Sequence, residues 1–252
     1  MAGATKKIWL AEATAGGELL RLESGRNRDA IAAHLIEEAQ RGEPMIVGLD
    51  FAFSFPAWFM DERGYASAPA LWDALAAGGV ADEWLTRCEP PLWGRPGRRK
   101  PAIDEHFRET ERCAGLTAGV GCKSVFQIGG AGAVGTGSIR GMPVLHRLRE
   151  GGFGVWPFDA PARATAVEIY PRLLTGAVKK SGEGCRRAYI AKHHGNLDPT
   201  MAEAACSSED AFDAAVSALV MAGHSDELAR LPQRTDARTL IEGEIWRPGM
   251  AS

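Results

Sequence analysis

One apolar run constrains the fold more than any other feature of this chain. Pro44–Asp50 (PMIVGLD) is almost free of polar residues and ends on an aspartate. Such a run is expected of a β-strand buried on both faces. Upstream, Lys6–Ala13 (KKIWLAEA) reads as a strand, Gly16-Gly17 as a turn and Glu18–Glu23 (ELLRLE) as the returning strand of a hairpin. Between hairpin and apolar run, Arg28–Gln40 places Ile31, Leu35, Ile36 and Ala39 at helical spacing. Strand, strand, helix, strand is the order of an α/β domain.

Further along, Ala70–Ala77 and Asp82–Leu85 read as short helical pieces. Glu89–Pro101 (EPPLWGRPGRRKP) reads as a surface loop. Ser124–Gly141 holds six glycines and leads into a helix predicted at Pro143–Glu150. Strands are predicted at Gly154–Pro157 and Ala164–Tyr170, then helices around Arg186–His193 and at Glu209–Ala222. With 252 residues, no internal repeat and no evident boundary, the chain is expected to bury one core as a single domain over residues 1–252. A basic loop insertion is expected at about residues 88–110.

Composition narrows the function classes. A net charge of −3 argues against a generic polyanion binder, although a local basic patch can still act. Cys88, Cys113, Cys122, Cys185 and Cys206 form no CxxC pair, so reduced thiols are expected, not a disulfide frame or a zinc site. The apolar run after Lys6 and Lys7 is too short for a secretion signal, and no stretch reaches the length of a membrane span. A cytoplasmic protein with no membrane partner is expected.

Several acidic residues could carry chemistry. Asp50 closes a buried strand, where functional groups of open α/β sheets gather; the alternative is a loop-capping aspartate. Glu168 lies among apolar strand residues in AVEIYPR, sharing a face with Ala166 and Tyr170. It is read either as functional or as paired with Arg172 or another arginine. Asp210 and Asp213 lie on one face of a late helix with Ala214 and Ser217. Asp210 suits a first helical turn by the backbone dipole, and Asp213 is the better ligand candidate. Together Asp50, Glu168 and Asp213 make the carboxylate set that Mg²⁺ or Mn²⁺ requires.

Arg95, Arg98, Arg99 and Lys100, beside Trp93, form a basic loop. Arginine forks match phosphate oxygens and an aromatic ring can stack on an unpaired base; a solvated charged loop is the alternative. The glycine-rich stretch lacks a GK[ST] continuation, so it is no P-loop. Close chain packing explains it better than an anion nest. His193-His194 is read as a surface pair.

The segments GLDFAFSFP, CEPPLWGRPGRRKP, SVFQIGGAGAVGTGSIRG, VWPFD, VEIYPR and EDAFDAAVSALVMA resemble an uncharacterised domain family of predicted nucleases in the ribonuclease H-like superfamily. The resemblance runs over almost the whole chain. It implies a mixed five-stranded sheet flanked by helices and an acidic metal site, onto which Asp50, Glu168 and Asp213 map, with Asp210 adjacent. It also implies a first, central strand ending in an aspartate, which this chain is expected to lack. Three functions are weighed: Mg²⁺- or Mn²⁺-dependent hydrolysis of nucleic-acid phosphodiesters, a catalytically inactive nucleic-acid-binding module of the same fold, and phosphoryl transfer to a small molecule.

Overall fold

The computed structural model describes residues 8–115, 117, 119 and 121–250. In chain order the elements are β1 (Trp9–Ala13), β2 (Leu19–Ser24), α1 (Arg28–Gln40), β3 (Met45–Leu49), α2 (Ala57–Glu62), α3 (Ala68–Ala76), α4 (Val80–Arg87) and α5 (Glu109–Cys113). They continue with α6 (Gly135–Glu150), β4 (Gly154–Val155), β5 (Ala164–Glu168), α7 (Pro171–Thr175), α8 (Glu183–His193), α9 (Pro199–Cys206), α10 (Glu209–Gly223), α11 (Ser225–Leu228) and α12 (Thr239–Glu242). The chain is mixed α/β. Its strands form two sheets, an antiparallel β1-β2 pair and a parallel sheet of order β3-β5-β4. Residues Lys6 and Lys7 of the predicted first strand lie outside the described residues.

By internal contact the chain groups into two units, and each is described by itself. A hairpin unit takes Met1–Ile31, Tyr170–Leu231 and Arg247–Ser252. A parallel-sheet unit takes Ala32–Ile169 and Pro232–Trp246.

In the hairpin unit β1 and β2 pair from Trp9↔Ser24 to Ala13↔Leu19, with a shift at Glu12/Ala13. Their turn closes through Gly17 N–H to Thr14 O at 2.9 Å, with Gly17 at φ +83°, a conformation glycine adopts without steric cost. Helix α10 starts where Ser208 accepts the Ala211 N–H, with Glu209 and Asp210 in the first turn opposing the backbone dipole. It buries Phe212, Ala215, Val216 and Leu219 in a core with Leu19, Ile190, Ala205 and Cys206. Buried Arg186 of α8 caps the end of α9, donating to Cys206 O through Nε at 3.0 Å and Nη2 at 2.8 Å.

In the parallel-sheet unit β5 is central and every residue of it is buried. It pairs with β3 from Met45↔Ala164 to Leu49↔Glu168, and with β4 at Gly154↔Thr165 and Val155↔Ala166. The expectation that PMIVGLD is buried on both faces is corrected. Among the described residues strand β3 ends the sheet, hydrogen-bonded on one side only, and each of Met45–Leu49 is half-buried.

Helix α6 also departs from expectation, beginning at Gly135 inside the glycine-rich stretch and not at Pro143. Packing overrides propensity here. A Cβ on Gly135 would lie 2.1 Å from Val125 O, and one on Gly141 would lie 2.7 Å from Phe51 Cγ. Between them Ser138 Oγ accepts the Ala52 N–H at 3.0 Å. The small face of α6 therefore fixes the segment that follows Asp50. This is the close chain packing expected of those glycines.

Candidate functional site

At the carboxyl end of β5 sits a fully buried ion cluster. Glu168 is 2% exposed and Arg108 is 1% exposed. Glu168 Oε2 accepts from Arg108 Nη1 at 2.8 Å and from the Phe53 backbone N–H at 2.9 Å, and its Oε1 accepts from Arg108 Nη2 at 2.5 Å. Glu111 Oε1 takes Arg108 Nε at 3.0 Å and Nη2 at 2.9 Å, while its Oε2 caps the Arg108 backbone N–H at 2.9 Å. Arg108 Nη1 also reaches Glu242 O at 3.0 Å. Every guanidinium N–H thus has an acceptor, which is the condition for holding such a charge out of water.

The electrostatics follow from that geometry. Burial opposes the charge on Arg108, but Glu168 and Glu111 outweigh it and raise its pKa. Burial also pushes the Glu111 carboxyl above its ordinary range against the pull of Arg108. Near the cluster, burial and then Glu111 lift the Cys122 thiol to about 11, so it is no thiolate nucleophile at neutral pH. Glu242, 0% exposed, joins two helix starts: Oε1 accepts the Ala57 N–H of α2 at 2.9 Å and Oε2 the Glu109 N–H of α5 at 2.6 Å.

The predicted acidic residues are placed as follows. Asp50 and Glu168 stand at neighbouring strand ends, since Leu49 pairs with Glu168 in register. Asp50 is exposed. Asp210 and Asp213 belong to α10, in the hairpin unit. Lys180 Nζ holds both oxygens of Asp213, at 2.7 and 2.6 Å. Of the two readings of Glu168, the pairing with an arginine is the one seen, through Arg108. Arg172 instead donates to Gly176 O and Val178 O. Among the described residues, no three histidine, cysteine, aspartate or glutamate side chains converge into a group that could hold a metal. With Glu168 and Asp213 each held by a cation, the donor set does not fit a divalent centre in this arrangement.

Asp213 has a pH signature. Burial pushes its carboxyl above the ordinary aspartate range, while Lys180 pulls it back. The folded protein therefore keeps a proton on Asp213 at pH values where the unfolded chain has lost it. That contribution to stability is full below the unfolded value of about 3.9 and is lost as pH rises through the raised folded value. Asp213→Asn should abolish the loss. The wild-type-minus-variant difference in urea midpoint is expected to fall as pH rises above about 4; a difference independent of pH would refute the shift.

The basic loop is the other candidate. Trp93 N–H donates to Phe126 O at 3.0 Å and Trp93 O accepts the Ile128 N–H at 2.9 Å, pinning the loop to the segment before α6. Gly94 and Gly129 touch backbone to backbone: a Cβ on Gly94 would lie 2.3 Å from Gly129 O, and one on Gly129 would lie 2.4 Å from Gly94 O. Arg95, Arg98, Arg99 and Lys100 are exposed. No described carboxylate forms an ion pair with any of the four. Lys100 lies over the Phe107 ring at 6.0 Å. Trp93 is half-buried with its Nε1 turned inward and lacking a hydrogen-bond partner, while its backbone anchors the loop.

No protein-family model, curated protein or solved structure matches the chain. The family resemblance therefore rests on the quoted segments alone. Cys88, Cys122, Cys185 and Cys206 are free thiols, and the exposed Cys113 donates through Sγ to Glu109 Oε1 at 3.3 Å. No helix among the described residues is long and apolar enough to cross a membrane. Arg108, Glu111 and Glu242 are the polar residues that sequence reading missed. The spacing of Arg108 and Glu111 around a helix start was the one available signal.

Proposed function

We propose that the protein is a nucleic-acid-binding module on a ribonuclease H-like α/β frame, acting without a metal centre and contacting phosphates through the Arg95–Lys100 loop. The observation that carries this reading is a contrast in how charges are used. Glu168 and Asp213, the carboxylates a nuclease would need, are held by Arg108 and Lys180. The four cations of the loop are exposed and have no described acidic partner. A protein of net charge −3 that gathers four exposed cations without a described acidic partner in one short loop suits a local anionic contact, not general polyanion adhesion. The frame is supported by a parallel sheet with acidic residues at the carboxyl ends of β3 and β5.

The test is fluorescence anisotropy with labelled oligonucleotides across a salt series, with and without Mg²⁺. Four phosphate contacts predict about a hundredfold loss of affinity between about 50 and 200 mM salt. Arg98→Ala/Arg99→Ala should weaken binding to all sequences and reduce the duplex salt slope by about 2. Mg²⁺ should change nothing beyond its contribution to ionic strength. Binding that requires Mg²⁺, or cleavage of the probe, would overturn this reading in favour of metal-dependent phosphodiester hydrolysis.

A further inference from the structure

The loop carries more than charge. Arg98 N–H donates to Arg95 O at 2.9 Å, closing a four-residue turn, and Gly94 N–H donates to Arg98 O at 2.9 Å, closing a second ring around it. Pro96 occupies the position where a fixed φ favours the turn, and Gly97, at φ +75°, occupies the position that requires the left-handed region. That is the chemistry of a type II turn. Below it, the contact between Gly94 and Gly129 leaves no room for a side chain at either position. The arginines at the two ends of the turn are thus held on a fixed backbone.

A turn of this kind brings its end Cα atoms within about 7 Å. Successive phosphates of one strand advance about 3.4 Å along a duplex axis. Arginine side chains rooted that close together can reach neighbouring phosphates of a single strand. Each is a fork that matches phosphate oxygens in two directions. Trp93 is half-buried with its Nε1 inward, whereas the arginines of the turn are exposed, so the contact is assigned to the guanidinium groups.

We propose that the Arg95–Arg98 turn is a preformed clamp for consecutive phosphates of one nucleic-acid strand. Pro96, Gly97, Gly94 and Gly129 act as positioning residues, and recognition is independent of base identity. This rests on the nucleic-acid-binding reading above. The clamp adds that the shape of the turn sets affinity, since a fixed backbone holds the two arginines side by side before binding and less chain freedom is lost.

The experiment measures affinity for an oligonucleotide and for an abasic strand of the same length, using wild type, Gly97→Val, Arg95→Lys/Arg98→Lys and Arg98→Ala/Arg99→Ala. A β-branched residue is a steric outlier at positive φ, and nothing lies within 4 Å of a Cβ at Gly97, so the turn is disturbed and the fold is left intact. An unchanged thermal midpoint confirms the intact fold. Gly97→Val and Arg95→Lys/Arg98→Lys, both with unaltered charge, should each bind about tenfold more weakly. Wild type should bind normal and abasic strands within about twofold. Unchanged affinity in both charge-preserving variants, alongside a loss in Arg98→Ala/Arg99→Ala, overturns the clamp and leaves the binding module standing. No loss in Arg98→Ala/Arg99→Ala overturns both. Tighter binding to phosphatidylserine vesicles than to the oligonucleotide overturns the assignment to a nucleic-acid strand.

Discussion

Arg108→Met should destabilise the protein by about 3–5 kcal/mol, measured by chemical denaturation. The guanidinium is 1% exposed and holds two carboxylates that are themselves buried, so its removal strands both. Folded domains are stable by only about 5–15 kcal/mol, and the loss would consume much of that margin. The comparison that isolates the cause is the triple variant Arg108→Met/Glu111→Gln/Glu168→Gln. Neutral amides at both carboxylate positions remove the uncompensated charge, and most of the stability should return. A single variant within about 1 kcal/mol of wild type would mean that the cluster is not a dry ion pair.

The second large effect is expected at Phe126. Its ring is 0% exposed, with centroids 5.5 Å from Phe55, 5.5 Å from Trp58 and 5.2 Å from Phe59. Truncation to alanine removes the shared member of these contacts and should cost about 3–5 kcal/mol. The consequence extends to the loop, because the Phe126 carbonyl receives the Trp93 N–H that anchors it. Trypsin should therefore cut after Arg98 and Arg99 faster in Phe126→Ala than in wild type under native conditions. Equal cleavage rates would show that the loop holds its shape without the aromatic cluster.

Much of the secondary structure was legible because it is written in local patterns. The hairpin turns at paired glycines, and α10 follows a serine cap with a run of good helix formers. The run PMIVGL marks β3 as a strand, but its burial depends on whether another strand lies beside it, which no local pattern records. Helix α6 was misread for a related reason. Glycines at 135, 137 and 141 with Pro143 spell a loop by propensity, yet the close approach of Val125 O and Phe51 requires Gly135 and Gly141 in a helix.

The site divides in the same way. An arginine partner for Glu168 could be expected from the cost of burying a lone carboxylate, but its identity could not, because Arg108 lies 60 positions away. Glu242, 133 positions from the Glu109 N–H it caps, left no local trace. Asp213 was singled out for the small residues around it, and the structure places Lys180 on its carboxylate. The basic loop was visible as composition; its turn at Pro96 and Gly97 was not read from the sequence.

The interleaving of segments has a consequence for the order in which this protein can form on the ribosome. The parallel-sheet unit needs Pro232–Trp246, made after the whole stretch Tyr170–Leu231 that belongs to the other unit. Within that late segment, Glu242 caps α2 and α5, and Trp246 N–H closes on Glu168 O at 2.8 Å. Until it emerges, Glu168 and Arg108 lack their last partners while the sheet around them is already synthesised. A nascent chain must therefore carry an unfinished ion cluster through the last third of its translation, and its final closure waits on contacts between distant parts of the sequence.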